Sequence, residues 1–169
     1  SELPEGHPSR KFKGRYVFQG NQVKDQNMEA AMFQELGSSP AAMEAGKSGD
    51  FYGMLPGHGI MQADAVQAYC QSLLQGVETW VELPRDRWPQ SWIDAGYKRP
   101  VVPLRLALYG HPDAGGYWEQ HCEKHLGEVG FTPVSEWRSC FWHEELQVFL
   151  VVYVDDFKMA GPKVNIKTG

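Results

Sequence analysis

Residues 148–161 read Val-Phe-Leu-Val-Val-Tyr-Val-Asp-Asp-Phe-Lys-Met-Ala-Gly. Seven apolar or aromatic residues, Val148 to Val154, run unbroken into two adjacent carboxylates, Asp155 and Asp156, and a second short apolar run succeeds them. A continuous, β-branched-rich run of this length predicts a buried strand. Phe157 to Ala160 is short enough to fold back as its hairpin partner, closing at Gly161-Pro162, which sets both aspartates at or near the bend. Period-two geometry then places Asp155 on the face of Val151 and Tyr153, with Asp156 following Val154. Two carboxylates at the end of a buried strand repel each other unless something positive sits between them. A divalent cation with oxygen ligands answers that need, and Mg²⁺ favours carboxylates combined with substrate phosphates. A plain polar turn is the other reading, since Asp is a common turn residue.

The 169 residues suffice for one domain with a core, or for part of a larger one. At 42% hydrophobic and 22% charged the composition is that of an ordinary globular protein. No apolar run reaches membrane-spanning length, so no membrane partner is expected, and the opening Ser-Glu-Leu-Pro-Glu-Gly-His is not a signal peptide. Cys70, Cys122 and Cys140 are odd in number and widely spaced, which argues against a disulfide framework and for a reducing compartment. The net charge of −5 is permissive for a nucleic-acid binder, because phosphate contacts need local cations and not a basic total. Such cations cluster at Arg10, Lys11, Lys13 and Arg15, at Arg85, Arg87, Lys98 and Arg99, and at Lys158, Lys163 and Lys167; each cluster also reads as a solvated surface.

Taken in order, residues 1–9 are expected to lack fixed structure. Phe12, Tyr16 and Phe18 suggest a strand within 11–23, ending at the Gly20-Asn21 turn. Residues 27–36 suggest a short helix and 40–52 another, with 53–59 a glycine-rich loop. Val66, Tyr69, Cys70, Leu73 and Leu74 fall at helical spacing before Gly76. Asp64 would cap that helix, with Gln67 completing a capping box. Trp80 to Leu83 reads as extended, and the tryptophans at 88 and 92 read either as base-stacking groups or as anchors for a long connection. Residues 101–109 alternate as a half-buried strand. Trp118, Cys122, Leu126 and Val129 mark a helix stopped by Gly130. His121 and His125, one helical turn apart, admit a zinc reading, but no second ligand cluster accompanies them, and His125 falls near the apolar stripe as a core histidine would. Residues 143–145 read as a polar turn before the Val148 strand.

Four segments, in this order, resemble the copia-type retrotransposon reverse transcriptases. They are Lys13-x-Arg15-x-Val17-x-x-Gly20, Gln62-x-Asp64-x-x-x-Ala68-Tyr69, Ala107-Leu108-Tyr109-Gly110 with Trp118, and Tyr153-Val154-Asp155-Asp156. The last is the most specific and resembles the palm motif of reverse transcriptases; together they span residues 11–161. The resemblance implies that Asp64, Asp155 and Asp156 are the catalytic, metal-holding carboxylates. It implies that Lys13 and Arg15 lie against the triphosphate, that Tyr69 is the steric gate excluding a 2′-hydroxyl, and that Tyr109 and Gly110 help form the template and nucleotide pocket. The chain departs from the family at Pro112, Gly115 and Gly116, where the family carries Lys, Pro and Arg, so the bend after Gly110 is less basic and more permissive.

The resemblance implies an RNA-directed DNA polymerase fragment of a retrotransposon polyprotein. It would use Mg²⁺, with Mn²⁺ as a substitute, in two-metal nucleotidyl transfer. Its partners would be an RNA or DNA template, a primer strand, a dNTP and the remainder of the polyprotein, in a cytoplasmic virus-like particle or the nucleus. The implied fold is α+β: an antiparallel palm sheet with the Asp-Asp hairpin at its centre and helices at 65–75 and 114–129 on one face. About a dozen residues lie beyond Asp156, so 1–169 is expected to be a fingers-and-palm piece without thumb or RNase H, inactive by itself. Two other classes stay open. One is a palm-like remnant that binds nucleic acid or a partner without chemistry. The other is a metal-dependent hydrolase of unrelated fold, which needs only the aspartates and leaves Tyr69 and Ala107 to Gly110 unexplained. A shared-metal role requires the carboxylates of Asp64 and Asp155 to approach within roughly 3–6 Å; a capping role gives no reason for them to meet.

Overall fold

The apolar run becomes the middle strand of a five-stranded antiparallel sheet. The computed structural model describes residues 7–8, 14, 16–33 and 40–167. These form α1 (Met43–Gly53), β1 (His58–Asp64), β2 (Trp80–Glu82), α2 (Gln90–Asp94), β3 (Val101–Pro103), α3 (Ala114–Glu128), β4 (Phe131–Pro133), β5 (Cys140–His143), β6 (Val148–Tyr153), β7 (Asp156–Pro162) and α4 (Lys163–Ile166). Short 3-10 turns lie at Gly20–Gln22, Ala68–Gln71 and Arg85–Arg87. The main sheet runs in the order β1-β7-β6-β5-β4, and β2 and β3 form a separate two-stranded ribbon. The class is therefore α+β, as expected.

Helices cover both faces of the sheet, which corrects the expected packing on one. Val148, Leu150 and Val152 point to one side, where they bury with Trp118 and Cys122 of α3, Phe141, Met159 and Ile166. Val151 points to the other, packing with Ala41, Ala45 of α1 and Cys140. This two-sided cover is why β6 is apolar without alternation: a strand between two layers has no solvent face to give to polar residues. Each buried Leu or Val contributes about 1.5–3 kcal/mol by leaving water, so β6 anchors both layers. One ion pair spans the α1 layer, Lys158 Nζ of β7 lying 2.9 and 3.0 Å from the two oxygens of Asp50 in α1. Solvent reaches both side chains, which holds such a pair to about 1 kcal/mol at most.

Several other expectations are corrected. Residues 65–75 form no α-helix; β1 runs through Asp64, Gln67 takes a left-handed φ of 56°, and only the 3-10 turn comes after it. Asp64 thus ends a strand and caps nothing. Residues 27–33 make a turn and a bridge between Lys24 and Ala30, with no helix. The described part of 11–23 contains no strand, only the turn at Gly20–Gln22. The strand expected over 101–109 stops at Pro103, and Leu106 makes one isolated bridge to Leu73. His125 is exposed, bonding the His121 carbonyl through Nδ1 at 2.8 Å. The tryptophan-rich connection pins itself: Trp88 donates to the Leu83 carbonyl at 2.8 Å, packs edge-on to Trp92 and carries the Arg85 guanidinium over its ring. Apart from His7 and Pro8, residues 1–9 lie outside the described residues, as do residues 34–36.

His111 is the buried titratable group that joins the amino-terminal segment to the loop before α3. Its ring sits 5.2 Å from that of Phe18 and 5.1 Å from that of Phe33. Nδ1 accepts from the Asp113 amide at 3.2 Å, which leaves the proton on Nε2, 3.4 Å from Thr79 Oγ1. Burial lowers its pKa from the ordinary value, partly offset by Asp113. The folded-state pKa is thus the depressed one. Below about pH 6.5 the unfolded chain protonates this histidine while the folded one resists, so stability falls as pH drops. Urea unfolding of the chain should show its midpoint declining as pH falls through about 6.5, and His111→Gln should flatten that decline. Equal pH slopes for the two proteins would remove His111 from this role.

Candidate metal centre at the aspartate hairpin

Tyr153 pairs with Asp156, so Val154 and Asp155 form a two-residue loop. Val154 has a φ of 58° and Asp155 is not left-handed, the combination that a type II′ loop demands and that glycine usually supplies at the first position. A β-branched residue there costs about 1–3 kcal/mol and persists only where its surroundings over-determine it. Two bonds do so. The indole Nε1 of buried Trp118 donates to the Val154 carbonyl at 2.6 Å, and the Ala65 amide donates to the Asp155 carbonyl at 2.7 Å.

The second bond extends the β1–β7 ladder, whose register runs from His58 opposite Pro162 to Asp64 opposite Asp156. Directly paired residues point to the same face. Asp64 and Asp156 therefore share the α1 side with Tyr153, Lys158 and Gln62. This corrects the face expected for Asp155: the bend intervenes, and it is Asp156 that lies with Val151 and Tyr153. One carboxylate oxygen each from Asp64, Asp155 and Asp156 lie within 4.8 Å of one another, with Asp155 half-buried and the other two exposed. Among the described residues this is the one group of three or more His, Cys, Asp or Glu with such spacing; His121 and His125 gain no further ligand.

These oxygens fit a hard cation. Ligands on one Mg²⁺ sit about 2.0–2.1 Å from it, hence at most about 4.2 Å apart. A spread of up to 4.8 Å closes onto one ion by small side-chain rotations, and suits two ions about 3.5–4 Å apart. An all-carboxylate donor set favours Mg²⁺, Mn²⁺ or Ca²⁺ over softer metals.

Tyr69 stands on the α3 side of the bend, in the 3-10 turn, directly after buried Ala68. Its ring lies 4.5 Å from that of Tyr109. Burial first, then Tyr109, Asp155 and Glu119, raise its hydroxyl pKa above the ordinary value, so the phenol stays protonated and available as a donor. Gly110 has a φ of 89°, and a Cβ there would collide with the Phe18 carbonyl. The Phe18 amide donates to the Tyr109 carbonyl at 2.7 Å. Gly110 thus has a packing reason to be glycine, and with Tyr109 it docks the segment just beyond Lys13 and Arg15. Those two residues lie outside the described ones.

Two cavities flank the hairpin. One, of about 540 Å³, lies on the α3 side between Tyr69, Trp118, Trp137 and Phe141. Its wall includes Cys122, whose thiol pKa is pushed up to about 11 by burial and by Glu119 and Glu123, leaving it an inert thiol. The other, of about 950 Å³, lies on the α1 side, with Asp64 and Asp156 in its wall. Sequence reasoning missed that second cavity and the residues facing Asp64 across it. Lys158 was legible, standing two places beyond Asp156 on a strand; the contribution of α1 was not.

Compared with family models, curated proteins and solved structures, the chain gives no match. No helix among the described residues is long and apolar enough to cross a membrane.

Three carboxylates this close repel one another without a cation. Asp64→Asn should therefore raise the thermal midpoint in chelator by roughly 1–3 °C, while millimolar Mn²⁺ should raise the midpoint of the unaltered chain and leave that of Asp64→Asn nearly unmoved. Differential scanning calorimetry reads both; the same Mn²⁺ response in the two proteins would place the cation elsewhere.

Proposed function

We propose that the chain is the fingers-and-palm part of an RNA-directed DNA polymerase similar to the copia-type retrotransposon reverse transcriptases. The observation that carries this reading is the meeting of Asp64 with Asp155 and Asp156. These residues come from separate motifs far apart in the chain, and the register that joins them also removes the capping explanation for Asp64. A hydrolase of unrelated fold would need the aspartates alone. The polymerase reading also accounts for Tyr69 and Tyr109 packed together beside the same bend.

The proposed chemistry is addition of a deoxynucleotide to a primer 3′-end, with pyrophosphate leaving. Divalent cations, Mg²⁺ or Mn²⁺, would supply activation of the 3′-hydroxyl and stabilisation of the leaving group. Asp64 and Asp155 would hold them, with Asp156 assisting from the α1 side. The strand ladder fixes Asp64 and Asp156, and the Ala65 and Trp118 bonds fix the bend, so the carboxylates are oriented before substrate arrives. Tyr69, propped by Tyr109, would meet the sugar of the incoming nucleotide. Lys13 and Arg15 would neutralise its triphosphate. Template, primer and the remaining polyprotein would complete the working enzyme.

Primer extension on an RNA template tests this, in a longer polyprotein segment that contains the chain. Extension should require Mg²⁺ or Mn²⁺ and fall by roughly a hundredfold or more in Asp64→Asn and Asp155→Asn. Tyr69→Ala should admit ribonucleotides. Metal-dependent binding of nucleic acid with no extension would instead favour a non-catalytic palm-like remnant.

A further inference from the structure

The α1-side cavity carries a feature that the motifs do not explain. Beside Asp64 and Asp156 its wall contains Gly46 and Lys47 of α1, and Lys158 of β7. Lys158 is engaged by Asp50. Lys47 is exposed and makes no ion pair with any described residue. A cation thus stands across the cavity from two carboxylates with its charge unanswered. Gly46 precedes it, and a Cβ at that position would meet nothing within 4 Å, so the helix surface there opens onto space. A volume of about 950 Å³ is that of a nucleotide-sized site.

We propose that this cavity takes a phosphate-bearing nucleotide unit, with Lys47 as its phosphate-binding residue opposite the aspartates. The inference rests on the metal reading of Asp64, Asp155 and Asp156. Carboxylates alone would repel a phosphate. A divalent cation on them reverses the sign of that wall, and the phosphate then lies between the cation and the ammonium of Lys47. Lysine suits this task as a mobile point charge. The Asp50–Lys158 pair closes the floor and keeps Lys158 from collapsing onto Asp156, two residues before it on the same face. The ligand is either a free deoxynucleoside triphosphate or the terminal nucleotide of a strand, which share this chemistry.

The test uses the chain with Mn²⁺, tracking metal binding by electron paramagnetic resonance. Ligand binding is read from the fluorescence anisotropy of a labelled deoxynucleoside triphosphate and, separately, of a labelled oligonucleotide. Lys47→Glu should weaken binding of one of these by at least about tenfold while Mn²⁺ affinity is unchanged, and Lys47→Arg should restore most of it. Gly46→Trp, which fills the cavity from a position with free space, should weaken the same probe without touching a charge. The probe that responds identifies the source of the phosphate. If Mn²⁺ binds normally yet both probes bind Lys47→Glu and Gly46→Trp as tightly as the unaltered chain, this inference is overturned and the metal site stands. If Mn²⁺ does not bind, the metal reading fails and the inference with it.

Discussion

The antiparallel register of β1 on β7 is the constraint on which the site depends. It runs without a bulge from His58 opposite Pro162 to Asp64 opposite Asp156, then continues one step further through the Ala65 amide and the Asp155 carbonyl. A slip of one residue would turn Asp64 to the α3 side and bury a carboxylate against an apolar layer, because side chains alternate with period two. The apolar residues police this register. Met61 lies opposite Met159 and Ala63 opposite Phe157, and Met61, Phe157 and Met159 all belong to the α3-side core. Hydrophobic burial thereby fixes the geometry of charged groups that it never touches.

The bend is where local preference yields to tertiary structure. Val154 takes a backbone conformation that its branched side chain disfavours, and the indole of Trp118 holds its carbonyl. The helix that carries Trp118 is itself held to the sheet by the buried row including Cys122. Strain at a bend whose next two residues are carboxylates makes sense if the turn serves their placement and not its own stability. A glycine would relax the bend and loosen the position of Asp155.

Some of this was legible in the sequence. The hairpin, the turn at 143–145 and the 114–128 helix derive from an unbroken apolar run, a polar break and a stripe at helical spacing. The helix expected at 65–75 shows the limit. Val66, Leu73 and Leu74 have helical spacing, but Val66 and Leu73 end up exposed, and Gln67 adopts a left-handed conformation that no local pattern announces. Pairing of β1 with β7 across about ninety residues decided the matter, and single-stretch periodicity is blind to such pairing. The continuous, non-alternating run of β6 did contain the signal for helices on both faces; the expectation of one covered face overlooked it. Asp64 had two local explanations of equal form, and only the register chose between them. Lys47 carried no signal at all, since its relation to the aspartates arises from the docking of α1 over the sheet.

The resulting arrangement is polarised: aromatic groups, Tyr69, Tyr109 and Trp118, stand on the α3 side and at the bend, and charged groups, Asp64, Asp156, Lys47 and Lys158, line the α1 side. Asp155 sits at the crest between them. An aromatic wall meeting a carboxylate crest is an arrangement suited to a ligand with a flat base and a charged backbone. The central claim is that the three aspartates hold a divalent cation, and a crystal of the chain soaked in Mn²⁺ tests it most directly. The expected result is an anomalous difference peak within ordinary Mn–carboxylate distance of both Asp64 and Asp155. A map with Mn²⁺ bound elsewhere and none at these side chains would contradict it.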